Sequence, residues 1–226
     1  MTRPLIIAHR GATRSAPENS LAAFRAAGPA GADAVELDVH SSADGALIVH
    51  HDETVPAAGP IAHLKGAEVR TAHLANGEPV PTLAEALDAV GRLGAFIEVK
   101  ALDPRFDDHL LTTIAQGPNP GGYAVHSFDH RIIQRLGARQ PTLPRGVLSS
   151  SYPVRPLALL EDTGATMLWQ ERRLVDRQLT DVLHRAGARL YVWTVDRPEE
   201  MKRLVELGVD GLCSNVPEVA RGVVGE

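Results

Sequence analysis

Apolar residues along this chain fall into short runs, separated by longer stretches in which they recur every three or four positions. The runs predict strands at Leu5 to His9, Ala34 to Val39, Leu47 to His51, Ala95 to Val99 and Tyr123 to Phe128. Further strands are expected at Gly146 to Ser149, Thr166 to Trp169, Arg189 to Val195 and Gly211 to Cys213. The stretches between them predict helices. One follows Pro17-Glu18-Asn19-Ser20, where Asn19 or Ser20 can cap it, and runs through Ala27. Another opens at Thr82, which forms a capping box with Glu85, and reaches about Leu93 with a stop at Gly94. Others cover Asp107 to Gln116, Arg131 to Gly137, Pro156 to Thr163, Asp176 to Ala186 and Pro198 to Leu207.

Asp44-Gly45 reads as the turn of a β-hairpin, so the Leu47 run is a hairpin arm. Eight strands then remain, alternating with helices, and that order implies a parallel sheet. Eight such units in this length imply an α/β fold of the closed (β/α)8 TIM-barrel type. An open doubly wound sheet is the alternative, but no Gly-x-Gly-x-x-Gly loop follows the first strand. One domain is expected over residues 1–226, with a small excursion at about 52–80, where Ala, Gly and Pro accumulate.

Polar residues break the apolar pattern near the C-terminal ends of several strands, the end that carries the active site in barrel enzymes. In Val35-Glu36-Leu37-Asp38-Val39 the period of two puts Glu36 and Asp38 on one face and the apolar residues on the other. Helices cover the outside, so the carboxylates should point into the mouth. Glu98 in Phe96-Ile97-Glu98-Val99-Lys100 reads the same way. Each close carboxylate pair costs roughly 4 kcal/mol at 4 Å and an effective dielectric near 20. A hard divalent cation removes that penalty, and all-oxygen ligation favours Mg²⁺ or Ca²⁺, with Mn²⁺ also open, over zinc. The competing reading pairs each acid with Arg10 or Lys100.

A two-residue turn at Asp44-Gly45 would set His51 opposite Asp38 and on the same face. His51 would then reach the mouth, as does His9 at the end of the first strand. Two histidines beside one cavity suit general acid–base work, with metal ligation as the other role open to either. His126 is ambiguous. His40, His50, His63, His73, His109, His130 and His184 read as satisfied or exposed side chains. Arg10 and Lys100 add positive charge suited to a phosphate-bearing anion.

The chain has 226 residues, 44% hydrophobic and 23% charged, with a net charge of -5 and no basic stripe, which argues against a nucleic-acid partner. Its single cysteine, Cys213, excludes a disulfide framework within one chain and reads as a buried small hydrophobe. No apolar run is long enough to span a membrane, and no secretory signal is visible in Met1-Thr2-Arg3-Pro4 and the residues after it. Stable membrane insertion is therefore not expected, and a cytoplasmic location is.

Taken in order, His9-Arg10-Gly11, Pro17-Glu18-Asn19-Ser20, Gly31 through Val39, Asp44-Gly45 and Val49-His50-His51-Asp52 resemble the glycerophosphodiester phosphodiesterase family, one of the phospholipase C-like phosphodiesterase barrels. Pro81-Thr82-Leu83, Phe96 through Lys100, Ser127-Phe128, Val192 through Val195 and Gly208 through Gly211 continue the likeness. The resemblance implies hydrolysis of a small-molecule glycerophosphodiester to glycerol 3-phosphate and an alcohol. It implies metal ligands at Glu36, Asp38 and Glu98, and an acid–base pair of His9 and His51. It puts Arg10 and Lys100 near the phosphate, and Phe128 and Trp193 on the apolar side of the substrate pocket. Ser214-Asn215-Val216-Pro217 stands where the family usually has Thr-Asp-x-Pro. That departure is expected to touch the last loop and leave the core site intact. The alternatives are a lysophospholipase D-type phosphodiesterase, a non-catalytic barrel binding a phosphorylated metabolite, and a metal-dependent lyase or isomerase.

Overall fold

The computed structural model describes residues 3–56 and 58–225. Eight parallel strands close into a barrel: β1 (Leu5–His9), β2 (Ala34–Ser41), β3 (Gly94–Ala101), β4 (Tyr123–Ser127), β5 (Arg145–Ser149), β6 (Met167–Glu171), β7 (Arg189–Trp193) and β8 (Gly211–Ser214). Each pairs with its neighbours in chain order, and β8 closes onto β1 through the register Leu5 with Gly211 to Ala8 with Ser214. The expected (β/α)8 barrel is the observed one.

Helices form the outer ring: α1 (Leu21–Ala27), α2 (Leu83–Val90), α3 (Asp107–Gln116), α4 (His130–Arg139), α5 (Pro156–Thr163), α6 (Arg177–Arg185), α7 (Pro198–Leu207) and α8 (Pro217–Val224). Local chemistry starts them. Ser20, not Asn19, caps α1, its Oγ accepting from Ala23 N at 3.1 Å. Thr82 and Glu85 form the capping box of α2. That helix ends earlier than expected, because Gly91 takes φ of 66° and turns the chain, leaving Gly94 to open β3.

Two apolar layers follow from the period of two along the strands. Val35, Leu37, Val39, Ile97, Val99, Val125 and Leu168 face the helices and belong to the large core cluster. Ile7, Ala34, Phe96, Ala124, Leu148, Met167, Trp169, Tyr191 and Cys213 fill the barrel interior. Trp169 sits at its centre, its ring centroid 5.0 Å from those of Phe96 and Tyr191. This plug floors the mouth, so polar residues one layer higher rest on a packed aromatic base.

The hairpin differs from expectation in register. Its loop holds three residues, Ala43, Asp44 and Gly45, closed by Gly45 N donating to Ser42 O and Ser42 N donating to Ala46 O. Gly45 has φ of 86°, the left-handed position that follows a type I turn and makes a bulge. The pairs are Val39 with Val49, His40 with Ile48 and Ser41 with Leu47. His51 therefore does not face Asp38. His50 does, its backbone N–H donating to Asp38 O at 3.1 Å, and the arm stops at Val49. The excursion that follows carries a two-strand ladder (Thr54–Val55 with Gly59–Pro60) and a short helix (Gly66–Val69). It packs on its own apolar patch of Ile48, Val55, Ile61, Val69 and Val80.

Candidate active site

The upper layer of the interior is polar because β1 to β4 end in inward-facing ionisable residues. The parallel register sets His9 beside Glu36, Asp38 beside Glu98, and Glu98 beside His126. Glu36, Asp38 and His126 are each at most 2% exposed. Burial, then the charges of Asp38 and Glu98, pushes the Glu36 carboxyl well above the usual carboxylate range. Burial and Asp38 raise the Glu98 carboxyl as well.

The turn after β1 arranges the cations. Arg10 takes φ of 57° and Gly11 takes 88°. A Cβ at Gly11 would lie 2.8 Å from the Ala23 carbonyl carbon, so only glycine fits. The turn aims Arg10 N–H at Glu36 Oε2 (3.1 Å) and its guanidinium at Glu18 (2.9 Å). Arg10 Nε is 3.2 Å from Asp38 Oδ2 yet poorly aligned to donate, so this buried nitrogen has no hydrogen-bond partner. Lys100 Nζ lies 2.9 Å from Glu98 Oε1 and 3.6 Å from Asp38 Oδ1. Burial works against its charge, but Glu98 and Asp38 outweigh that and hold it above its ordinary range. The pairing of acids with Arg10 and Lys100 that the sequence left open is thus present.

It is nonetheless incomplete. Glu36 Oε1 and His126 Nδ1 are buried without a hydrogen-bond partner. Buried polar atoms are rarely left unpaired, and two in one cluster mark a place for a ligand. Donor atoms of Glu36, Glu98 and His126 all lie within 4.8 Å of one another, a spacing that can hold a metal ion. The residues present therefore fit a divalent cation. Asp38 is held differently: Oδ2 accepts from Asn19 Nδ2 at 2.8 Å, and Asn19 itself sits at φ of 55°.

His9 is fixed by a chain of polar contacts from the opposite end of the sequence. Asp196 accepts from Asn215 N–H and from Asn215 Nδ2, both at 2.8 Å. A carboxylate can only accept, so Asn215 must present Oδ1 to His9 Nδ1, 2.7 Å away. His9 Nδ1 consequently carries the hydrogen and Nε2 keeps its lone pair, 4.0 Å from Glu36 Oε2. Burial, then the charge of Arg10, lowers the His9 pKa, which keeps the ring neutral. The departure at Asn215 is therefore not confined to the last loop, as expected, but touches His9.

His51 is half-buried, and its Nδ1 meets Asp52 Oδ1 at 2.8 Å. It lies near enough to the Glu98 carboxyl to be among the groups that act on it. Phe128 and Trp193 pack edge to face with centroids 5.4 Å apart, Phe128 being 46% exposed. The other histidines behave as read: His40, His109 and His130 bond backbone carbonyls, and His184 meets Asp210.

Sequence reasoning missed the roles of Asn19, Asp196 and Asn215. Asn19 was legible only as a cap. His126 carried a usable signal, since alternation along Tyr123–Ser127 puts it on the inward face with Ala124, by the rule that found Glu98.

Fold and relatives together define a β/α-barrel phosphodiesterase. The sequence model of the "Glycerophosphoryl diester phosphodiesterase family" matches residues 9–219, and the chain belongs to that family. A glycerophosphodiester phosphodiesterase of Caldanaerobacter subterraneus subsp. tengcongensis is 31% identical, over 98% of both chains. One from Bacillus subtilis is 28% identical, over 96% of this chain and 85% of its own. Among solved structures, an Oleispira antarctica phosphodiesterase in complex with its product sn-glycerol-3-phosphate superposes with a TM-score of 0.91 at 25% identity, covering 98% of this chain and 97% of that one. A glycerophosphodiester phosphodiesterase from Agrobacterium tumefaciens gives 0.83 at 27% identity, covering 97% and 100%.

Proposed function

We propose that this chain is a metal-dependent glycerophosphodiester phosphodiesterase, releasing sn-glycerol 3-phosphate and an alcohol by acid–base catalysis with His9 and His51. The observation that carries the reading is the neutral His9 ring, locked with its Nε2 lone pair beside a buried carboxylate cluster. The likeness to a barrel that holds sn-glycerol-3-phosphate supports the substrate class.

Glu36 and Glu98 offer carboxylate oxygens, and His126 a ring nitrogen, close enough to share a divalent ion, and Asp38 stands beside Glu98 in the strand register as the further acid of the set. Such an ion supplies Lewis-acid polarisation and neutralises phosphate charge. The chain's own groups do the rest. Arg10 and Lys100 attract the phosphodiester and offset charge that builds on its oxygens. His9 Nε2 takes the proton from the attacking water, or from the substrate's own glycerol hydroxyl, in which case a cyclic phosphate forms and a water then opens it to glycerol 3-phosphate with the roles of the two rings reversed. His51 gives a proton to the departing alcohol oxygen as the phosphorus–oxygen bond breaks. The partners of the two rings support this division of labour. His9 leans on a neutral amide, whereas His51 leans on an anion, which suits a ring that must carry its proton to the leaving group. Phe128 and Trp193 offer an apolar wall to the carbon skeleton of the substrate.

A lysophospholipid substrate is not favoured. Among the described residues only Phe128, Tyr152 and Val154 are large, apolar and exposed, a thin lining for an acyl chain. No helix among the described residues is long and apolar enough to cross a membrane.

The deciding assay strips the protein with chelator and restores Mg²⁺, Ca²⁺, Mn²⁺ or Zn²⁺ singly. Glycerophosphocholine and lysophosphatidylcholine are then compared, with glycerol 3-phosphate as the readout. Metal-dependent release from glycerophosphocholine is expected. Failure to release it with any ion, or preference for the lysolipid, would overturn the reading.

A further inference from the structure

The inward carboxylates alone describe an all-oxygen site, yet the structure adds a nitrogen. His126 is 1% exposed, in register with Glu98, and has an unpartnered Nδ1. Its ring lies flat on Trp169, with centroids 4.3 Å apart and planes 5° from parallel, so packing fixes its orientation. Trp169 is in turn packed against Phe96 and Tyr191, so the surface on which the imidazole lies is itself held in place. Burial, then Lys100 and His9, lowers the His126 pKa to about 3. A neutral imidazole held rigidly against two carboxylates has the form of a metal ligand, and a buried histidine serving the core alone would be expected to satisfy its polar nitrogen.

We propose that His126 supplies a nitrogen ligand to the divalent ion shared by Glu36 and Glu98, so that the site prefers a first-row transition ion such as Mn²⁺ over Ca²⁺ and Mg²⁺. The physical reason is donor type. Ca²⁺ and Mg²⁺ gain little from imidazole and are served by oxygen, whereas affinity of mixed nitrogen–oxygen sites rises along the transition series. Asp38 is drawn off by Asn19 and flanked by Arg10 and Lys100, which leaves His126 as the neutral partner within 4.8 Å of both glutamates. The inference rests on the metal-dependent reading above and refines its ligand set.

The test is spectroscopic and needs no substrate. Full-length protein stripped by chelator is loaded with Mn²⁺, and electron spin-echo modulation from a directly bound ¹⁴N is recorded. Growth with ¹⁵N-histidine should replace the ¹⁴N pattern with that of ¹⁵N. His126→Gln should abolish the modulation and weaken Mn²⁺ binding by at least the roughly 10–100-fold typical of losing even an outer-shell partner, with a much smaller change for Ca²⁺. His9→Gln should leave the modulation in place. Mn²⁺-loaded wild type with no nitrogen modulation, or modulation that survives in His126→Gln, would overturn the proposal while leaving the phosphodiesterase reading standing. Wild type that binds no divalent ion in calorimetry would bring down the metal-dependent reading and this refinement with it. Where His126→Gln fails to fold, the isotope comparison on unaltered protein still shows whether a histidine nitrogen is bound, and modulation that persists in both His9→Gln and His51→Gln assigns it to His126.

Discussion

Asn215 Oδ1 accepts a hydrogen bond from His9 Nδ1 at 2.7 Å, across 206 positions of sequence. The contact exists because β8 closes the barrel against β1, which brings the loop after the last strand to the end of the first. Asp196, in the loop after β7, fixes which way the amide points. The proton inventory of His9 is thus decided by two residues outside its own strand. Asn215→Ala should release the ring to either tautomer and lower kcat about 10- to 100-fold with little change in KM, since the loss falls on proton transfer. Asn215→Asp would set an anion against the ring and favour its protonated form. The acid limb of the pH–kcat profile should then move to higher pH. A profile superposable on that of the parent would argue against His9 as the base.

Removing either ring should cost far more. His9→Ala and His51→Ala are each expected to lower kcat by about 10²–10⁴-fold, the usual worth of a general acid or base. Circular dichroism and melting temperature should stay near the parent values, because neither side chain fills the aromatic plug. Near-normal turnover in either variant would remove that residue from the mechanism.

Glu36 and Glu98 make the metal-free protein sensitive to pH. Their folded pKa values are raised by burial and by Asp38, above the unfolded value near 4.5. Between that value and their own folded pKa values, the folded state keeps protons that the unfolded chain has released. Stability therefore falls as pH rises through this window. A bound divalent ion replaces those protons. At one hundred times its Kd such an ion adds about 2.7 kcal/mol, or about 5–10 °C in a chain of this size. Melting curves with chelator or with Mn²⁺ should show a larger metal-induced gain at pH 8 than at pH 5. An equal gain at both would mean the carboxyls are not what the ion displaces.

Gly11 shapes the tight turn that carries Arg10. Its φ of 88° and the 2.8 Å approach of Ala23 leave no place for a methyl group. Gly11→Ala should destabilise the fold by about 2–4 kcal/mol, from left-handed strain plus overpacking. Denaturant midpoints measure this. The displaced turn should also withdraw Arg10 N–H from Glu36 and raise KM.

Periodicity and punctuation were enough to lay out the barrel. The eight strands, the outer helices α1 to α7 and the inward direction of Glu36, Asp38 and Glu98 all follow from local rules, because alternation and capping act over a few residues. The hairpin shows where local rules stop. Asp44-Gly45 was correctly read as a turn, but whether it spans two residues or three depends on Gly45 entering the left-handed region as a bulge, and that moved His51 out of line with Asp38. His126 sits on the inward face by the same alternation, yet only the tertiary structure reveals its stack on Trp169 and its unpaired Nδ1. Asp196 carries no local signal at all, and Asn215 stands out in the sequence only as a departure from the family pattern in the last loop. Their partner is set by barrel closure, a long-range event that joins the two ends of the chain. The sequence by itself thus determined which residues face inward. The tertiary structure decided which of them meet, because distances across a closed barrel depend on all eight strands at once.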